Sequence, residues 1–336
     1  MSRHTIVGRV DRSNDKRRAV VLGAGGVLGA AWSIGALVAL EQTCGFDVRD
    51  VDVLVGTSAG SVLASLIGAG VTPTELREDL LGRPVTTGPL AGHTYDHDRA
   101  TGGSLPRAPR PGLGSTRLLI RTVRHPMSVT PMAALSSVLP AGRGSLTSVR
   151  NLVDTATSPG GWSPHSQLWV VAMDYESGRR VAFGRDGEPR AALADAVVAS
   201  CSIPAWYPPV RIGDRRYIDG GTCSPTSVDL LAGLDLDEVH VLAPMASFDY
   251  DAPSSVGGRI ERGFRRTVTR RMVREARKVR ARGTRVTMVA PGREDLEAIG
   301  ANLMDPARRV AVLEASLRTS AQALHRSRDD ELSWSA

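Results

Sequence analysis

Two short apolar runs near the start of the chain each end in a glycine-rich turn that leads into a helix-compatible stretch. Arg18–Leu22 runs into the turn Gly23–Gly29, and Val51–Val55 runs into the turn Gly56–Gly60. A repeated order of strand, glycine turn and helix is typical of parallel strands whose connecting helices cover the faces of one sheet. The sequence therefore predicts an α/β fold with a mostly parallel central sheet.

Further apolar runs continue this pattern on both sides of a long irregular segment. The runs at 168–173 and 180–183 predict a hairpin, and those at 238–243 and 286–290 predict two more strands. Residues 93–115 are rich in Gly, Pro, Arg and Ser and offer little to bury, so we predict a mobile insertion there.

The positive charge is concentrated in one segment. Lys and Arg total 42 against 35 acidic residues, and residues 259–285 alone hold 12 basic and 2 acidic residues. Within it, 259–282 is predicted to be a basic amphipathic helix, which fits an anionic membrane surface. The alternative is a surface helix that packs a narrow apolar stripe on the core and leaves its arginines in solvent. Nucleic acid is not expected as a partner, because no interleaved aromatic residues or known binding module accompany the charge.

Cysteine usage and apolar length exclude several other classes. Cys44, Cys201 and Cys223 are odd in number and lack zinc-ligand spacing, which disfavours a disulfide scaffold and a zinc module. The N-terminus has no apolar signal-peptide core, and the apolar run Val27–Leu40 is shorter than the roughly 20 residues of a membrane span. We therefore expect a cytoplasmic protein.

The second glycine turn contains the pattern G-x-S-x-G, with Ser58 at its centre. Between a strand and a helix, this pattern forces the serine into a sharp, exposed turn and places it at a helix N-terminus that favours negative charge. Ser58 is therefore a candidate nucleophile. The alternative is an ordinary glycine-rich turn, since the pentapeptide also occurs by chance.

The first glycine turn permits two functional interpretations. A dinucleotide-binding turn needs an acidic residue at the end of the second strand, but the nearest one, Asp52, lies near its start. The other interpretation is an oxyanion hole, in which consecutive glycine N–H groups beside Ser58 stabilise a tetrahedral intermediate.

A serine nucleophile also needs a base, and no histidine is well placed for that role. A possible metal site at His93 and His97 is disfavoured because the two lie in the irregular segment. Asp219 ends a predicted strand and is followed by Gly220 and Gly221, which makes it the better candidate, although Asp-Gly-Gly is also a common turn. The histidines considered are His93, His97, His125, His165, His240 and His325.

In this order the three motifs, together with Ala199-Ser200-x-x-Ile203-Pro204 ahead of the third, resemble the patatin-like phospholipase family over roughly residues 18–245. The resemblance implies a three-layer α/β/α fold, and a dyad without histidine in which Ser58 is the nucleophile and Asp219 the general base. It implies no cofactor and no metal. The residues that it assigns to the oxyanion hole are Gly25, Gly26 and Val27. The motif glycines are Gly23, Gly29, Gly56, Gly60, Gly220 and Gly221.

The sequence departs from the family's pattern at the first glycine turn. Many members have Arg or Lys where this chain has Leu28, and Ala24 replaces a glycine found in some of them. Backbone N–H donors do not need that cation, so the departure bears on head-group recognition rather than on catalysis.

These observations lead us to expect a serine acyl hydrolase of phospholipase or lysophospholipase type, peripheral at the inner face of the membrane. The alternatives are a carboxylesterase or thioesterase acting on soluble acyl substrates, a Rossmann-type nucleotide-binding protein, and a catalytically silent interaction protein. We expect a flexible tail at 1–17, a hydrolase domain at 18–292 and a C-terminal helical extension at 293–336. The sequence leaves acyl length, head group, positional preference and oligomeric state open.

Overall fold

The computed structural model has one sheet of eight strands at its centre. It describes residues 16–98, 100–103, 105–109, 111–249 and 256–334, so that the predicted tail lies almost entirely outside the described residues. The strands are β1 (Arg18–Leu22), β2 (Val53–Thr57), β3 (Leu168–Asp174), β4 (Arg180–Phe183), β5 (Val210–Ile212), β6 (Arg215–Asp219), β7 (Glu238–Leu242) and β8 (Arg285–Val289).

The helices connect these strands and cover both faces of the sheet. They are α1 (Gly26–Cys44), α2 (Ala59–Gly68), α3 (Pro73–Leu80), α4 (Thr116–Arg124), α5 (Pro131–Val138), α6 (Thr147–Ala156), α7 (Leu193–Ser200), α8 (Val256–Arg280), α9 (Arg293–Ile299) and α10 (Arg309–Trp334). The predicted strands are confirmed, although β2 begins two residues later than expected. The sequence did not predict α3, α5, α9 or β5, which are short and lie in polar or proline-rich stretches.

The sheet is mostly parallel, as predicted. Strands β8, β7, β1, β2 and β3 lie side by side in parallel, and β4, β5 and β6 are antiparallel additions. Alternate side chains of each strand point to opposite faces. Val20 and Leu22 of β1 pack in the cluster of α1, α2 and α10, whereas Ala19 and Val21 pack in the cluster of α8. The predicted three-layer α/β/α architecture is confirmed.

Two strands of opposite direction share one edge of β3. Strand β2 runs parallel to β3 and ends with Thr57 opposite Val171, while β6 runs antiparallel and ends with Asp219 opposite Ala172. Because β4 occupies the other edge of β3, β2 and β6 follow one another along the same edge. The residues at their ends therefore meet.

Helix α1 follows the first glycine turn and is the main helix of one face. It is the one helix among the described residues that is long and apolar enough to cross a membrane, but 72% of its most apolar window is buried in the protein. Helix α10, in the predicted C-terminal extension, packs against it, and the Ser316 hydroxyl donates a hydrogen bond to the Trp32 carbonyl at 2.6 Å. Both helices therefore belong to the same core.

The described residues of the irregular segment 93–115 form neither helix nor strand. Polar contacts attach this segment to the body of the protein along its length. His97 Nε2 lies 3.0 Å from Asp79 Oδ2, the Tyr207 hydroxyl donates to the Thr101 carbonyl at 2.7 Å, and Asp98 forms an ion pair of 2.6 Å with Arg309. At its end, the Ser115 N–H donates to the Ser137 carbonyl and the Ser115 hydroxyl donates to the Glu176 carboxylate. The segment's mobility stays a prediction.

Candidate active site

Ser58 lies between β2 and α2 in a strained backbone conformation. Its φ of 52° and ψ of −126° are rare for a residue with a side chain, and the residue is only 4% exposed. Close backbone contacts require glycine two residues before and two residues after Ser58. A Cβ at Gly56 would lie 2.5 Å from Ser61 Cα, and one at Gly60 would lie 2.1 Å from the Leu22 carbonyl oxygen.

Ser200, at the end of α7, holds this turn in place. Its hydroxyl accepts a hydrogen bond from the Ser58 N–H at 2.8 Å and donates one to the Val171 carbonyl at 2.6 Å. The Ser200 hydroxyl thus bridges the residue that follows β2 to the backbone of β3. In the sequence, Ser200 belongs to the motif Ala199-Ser200-x-x-Ile203-Pro204, which predicted no particular role for this side chain. Only the spatial contact reveals that role.

Asp219 lies at the end of β6, where the register of β3 brings it next to Ser58. The carboxylate accepts a hydrogen bond from the Gly221 N–H at 2.7 Å. Burial raises its pKa from 3.8 to about 6, although hydrogen bonding to the Ser58 side chain and to the Gly221 N–H opposes the rise. At neutral pH the group is therefore an ionised carboxylate with unusual affinity for a proton. Gly220 is also required, since a Cβ there would lie 2.3 Å from the Val171 carbonyl.

The first glycine turn lies against the same edge of the sheet. Its first N–H groups are already used, since Gly23 donates to Leu242 and Ala24 to Pro225. The next three N–H groups, those of Gly25, Gly26 and Val27, have no hydrogen-bond acceptor among the described residues. Gly26 and Val27 border the cavity that contains Ser58, whereas Gly25 does not.

The turn is crowded on both sides, which explains its glycines. A Cβ at Gly25 would lie 2.7 Å from the Cα of Gly29, and one at Gly26, whose φ is +61°, would lie 2.8 Å from Met304 Sδ. Leu28 is fully buried, and its N–H donates to the Leu303 carbonyl at 2.9 Å. The position where many family members have a cation is therefore part of the apolar core.

A third polar group reaches the candidate pair. The thiol of Cys201, directly after Ser200, lies 3.9 Å from the Ser61 hydroxyl and is also hydrogen-bonded to Ser58. Burial, together with the nearby charge of Asp219, raises the pKa of this thiol. A neutral thiol is the expected form, so Cys201 contributes shape and a weak hydrogen bond beside the hydroxyl.

An apolar pocket opens at Ser58. Concave sites lined mostly by apolar side chains with a few polar groups are typical of small-molecule binding sites. The pocket's few polar lining groups include His97 and Asp79, which are hydrogen-bonded to each other. The aliphatic lining comes mainly from α1, α2, α3 and α6 and comprises Ala30, Ile34, Val62, Leu63, Leu66, Leu76, Leu80, Leu146, Val149 and Leu152.

No histidine serves Ser58 in the described part of the chain. His97 lies in the pocket wall, but its recorded hydrogen bond goes to Asp79 rather than to Ser58. His240 is buried inside β7, and burial lowers its pKa to about 4. Within the described ranges, no group of three or more His, Cys, Asp and Glu side chains could hold a metal ion.

The site thus combines a serine on a strained strand-to-helix turn with a buried carboxylate and with N–H groups that have no acceptor among the described residues, an arrangement suited to a serine hydrolase that uses no histidine. The family profile described as patatin-like phospholipase matches residues 20–87 and 98–232, well over half of the chain. The chain belongs to the patatin-like phospholipase family, as the sequence motifs predicted, and this membership supports a lipid hydrolase function.

Solved structures similar to this one include two bacterial proteins. VipD from Legionella pneumophila has a TM-score of 0.45 and 13% sequence identity, over 93% of this chain and 67% of VipD. The type III effector protein ExoU has a TM-score of 0.34 and 16% identity, over 93% of this chain and 53% of ExoU. The chain thus spans about half the length of ExoU. A comparison with curated protein sequences finds no match.

Proposed function

We propose that this protein hydrolyses carboxylic esters of lipids through a Ser58–Asp219 dyad and an acyl-enzyme intermediate. The observation that carries the proposal is the juxtaposition of Ser58, on its strained turn at the mouth of an apolar pocket, with the buried Asp219 carboxylate. A carboxylate whose pKa is close to the working pH is a better base for a hydroxyl than an ordinary aspartate.

In the first half of the reaction, Asp219 takes the proton of Ser58 as the serine oxygen attacks the ester carbonyl. The carbonyl oxygen becomes an oxyanion, which accepts hydrogen bonds from the free N–H groups of Gly26 and Val27. Each such donor is worth roughly 3–4 kcal/mol of transition-state stabilisation. Collapse of the intermediate breaks the ester C–O bond, and the alcohol leaves with the proton from Asp219.

In the second half, water attacks the acyl-enzyme and Asp219 again takes a proton. The second tetrahedral intermediate collapses, releases the fatty acid and returns the proton to Ser58. The aliphatic lining of the pocket fits an acyl chain, which would be removed from water along its length. This feature favours long-chain lipid esters over small soluble acyl substrates.

The test is a substrate panel of phospholipid, lysophospholipid and p-nitrophenyl esters of increasing chain length. We expect wild-type protein to prefer long acyl chains and Ser58→Ala to lose all measurable turnover. A fluorophosphonate probe should label wild type but not Ser58→Ala. The matched control is Ser61→Ala, which alters the neighbouring hydroxyl on the same helix and should retain labelling.

Two outcomes would contradict the proposal. Labelling that persists in Ser58→Ala would assign the nucleophile to another residue. Turnover restricted to short soluble esters or thioesters would favour the carboxylesterase or thioesterase alternative. A cytoplasmic location at the inner membrane face is likewise proposed here, and fractionation of cells that produce the protein would test it.

A further inference from the structure

A stretch of the chain near the candidate active site carries positive charge without any acidic residue. Between Asp98 and Asp154 there are eight arginines and neither Asp nor Glu. Three of these arginines, Arg117, Arg121 and Arg124, lie on α4. The stretch therefore carries eight positive charges and no negative one, and concentrated positive charge attracts anionic surfaces.

The same stretch exposes most of the large apolar side chains that face solvent. Of the eleven such side chains recorded among the described residues, eight lie between 105 and 138. The most exposed are Met127 at 98%, Leu105 at 75% and Val123 at 74%. Clustered exposed apolar groups mark interaction sites, whereas scattered single ones are ordinary.

Helices α4 and α5 divide these residues between a buried and an exposed side. On α4, Leu118 packs into a small core cluster while Ile120 and Val123 face outward. On α5, Ala133 is buried in that cluster and Leu135 is 50% exposed. We call residues 116–138 the α4–α5 segment. Its exposed apolar groups and arginines lie on a folded support.

The α4–α5 segment is fastened beside the candidate catalytic aspartate. The Thr130 hydroxyl donates to the Thr222 carbonyl at 2.7 Å, and the Thr222 hydroxyl in turn donates to the Asp219 carbonyl at 2.7 Å. The Tyr175 hydroxyl, just beyond the carboxyl end of β3, donates to the Ser136 carbonyl at 2.7 Å. The segment therefore lies at the edge of the sheet where Ser58 is found.

The other arginine-rich element, α8, offers a different surface. Its apolar stripe, including Met272 and Val279, is packed against the sheet and almost fully buried. On its outward side, Phe264 is its only large apolar side chain recorded as exposed among the described residues, at 37%. Charge without apolar groups can attract a membrane but cannot insert into it.

We propose that the α4–α5 segment is the surface by which this protein docks on an anionic lipid bilayer. Exposed Val and Met side chains enter the interface, and the arginines bind lipid phosphates. The inference rests on the proposed function, because an enzyme that takes lipid esters into its pocket must reach them at a membrane. Docking through this segment brings the bilayer to the carboxyl edge of the sheet, the edge at which β2 ends before Ser58.

The experiment measures co-sedimentation of the full chain with two kinds of vesicle. One is pure phosphatidylcholine and the other contains one third phosphatidylglycerol. All variants carry Ser58→Ala as well, so that the vesicles stay intact. We expect binding to the anionic vesicles and a loss of binding as salt is raised.

Two pairs of substitutions locate the surface. Arg117→Ala with Arg124→Ala should weaken binding by about 25-fold, at roughly fivefold for each arginine near an anionic surface. Its matched control, Arg270→Ala with Arg274→Ala on α8, makes the same change of charge and should weaken binding much less. These α8 arginines are also exposed, so both pairs should leave the unfolding temperature unchanged.

A second variant tests insertion independently of charge. Val123→Ser with Met127→Ser should weaken binding by about tenfold or more, because apolar groups no longer enter the bilayer. Both side chains are mostly exposed, so the fold should be unaffected. Equal loss of binding in the α8 pair, or none in either α4–α5 variant, would overturn the proposal.

Other occupants of the surface would also overturn it. If the protein self-associates without lipid and the α4–α5 variants abolish that association, the segment is a contact between copies of the chain. If a DNA duplex binds the segment as tightly as the anionic vesicles do, the segment is a general polyanion site. Failure of docking and failure of the proposed function are distinguishable. Ester hydrolysis without vesicle binding overturns only docking, and vesicle binding without hydrolysis overturns only the catalytic assignment.

Discussion

Two buried aspartates at the carboxyl edge of the sheet have pKa values displaced in opposite directions. Asp174 ends β3 and is 4% exposed, and Asp219 ends the neighbouring β6 and is 5% exposed. Burial on its own would raise the pKa of both carboxyl groups. At Asp174 the Ser177 N–H, the Arg215 guanidinium and the Glu176 N–H outweigh burial and lower the pKa overall. At Asp219 no cation among the described residues takes part, and the pKa rises to about 6.

The difference separates a carboxylate with a structural role from the one that we propose as the catalytic base. The Asp174 carboxylate accepts hydrogen bonds from the backbone of the turn that follows β3 and from Arg215, and these donors stabilise its negative charge. Asp219 has only two hydrogen-bond donors, one of them the hydroxyl that it would deprotonate. Neighbouring carboxyl groups whose environments shift their pKa values apart are a common sign of acid–base chemistry.

The largest expected effect is on turnover. Asp219→Asn removes the proton acceptor for Ser58, and ester hydrolysis should fall by at least about a thousandfold. Asp174→Asn leaves Ser58 and its partner unchanged and should keep most of the activity. Initial rates on a p-nitrophenyl ester measure both. Near-normal turnover in Asp219→Asn would remove Asp219 from the mechanism.

The same two substitutions should affect stability in the opposite way from turnover. The rise in the pKa of Asp219 from 3.8 to about 6 corresponds to about 3 kcal/mol of unfavourable free energy for the ionised form, at roughly 1.4 kcal/mol per pKa unit. Asp219→Asn should therefore raise the free energy of unfolding at pH 8 by up to this amount. Asp174→Asn should lower it by about 1–2 kcal/mol, because charge-assisted hydrogen bonds are lost. Urea unfolding followed by circular dichroism measures both, and a destabilised Asp219→Asn would contradict the contrast.

The pH dependence should follow the same two residues. Asp219 must be ionised to act as a base, so kcat/KM should rise with pH and reach half its plateau near pH 6. Below this pH it should fall by about tenfold per unit. The folded state binds more protons at Asp219 than the unfolded state, so this residue's contribution to stability decreases as pH rises from about 4 to 6. Asp174, with its lowered pKa, contributes stability that is lost as pH falls below its ordinary range. An acidic limb centred near pH 4 would contradict the assignment.

The smallest effect is expected for Arg215→Ala. The Arg215 side chain is 52% exposed and lies 2.7 Å from the Asp174 carboxylate, so its removal should lower the free energy of unfolding only slightly at neutral pH. It should make unfolding in acid begin at a higher pH, because the pKa of Asp174 would rise. The acidic limb of kcat/KM should not move. A shifted limb would show that the two aspartates are coupled.

Local patterns predicted much of the fold and the candidate residues. Strand–glycine–helix order predicted the parallel sheet, and the motifs predicted Ser58, Asp219 and the first glycine turn. These features depend on neighbours in the chain, such as the glycines that permit a strained serine. The register that puts β6 after β2 on the edge of β3 could not be predicted, because it depends on pairings between residues far apart in the chain, such as Leu54 with Leu168 and Ala172 with Asp219.

The roles of Ser200 and of the α4–α5 segment were also missed, for different reasons. Ser200 acts only through the contact that α7 makes with the ends of β2 and β3. The α4–α5 segment had a visible signal, namely 55 residues without an acidic side chain, but it was hidden by the stronger charge of α8. A count of acid-free stretches would have found it.

By itself, the sequence determined the family, the layer architecture and the pair of residues that could carry the chemistry, because these are encoded in short patterns of glycine, serine and aspartate. Only the tertiary structure decided which arginine-rich region keeps its apolar groups in solvent and which aspartate is left without a cation. Both outcomes depend on what packs against each residue. Burial controls whether an apolar side chain is available to a membrane and whether a carboxylate holds a proton near neutral pH, and distant parts of the chain set that burial.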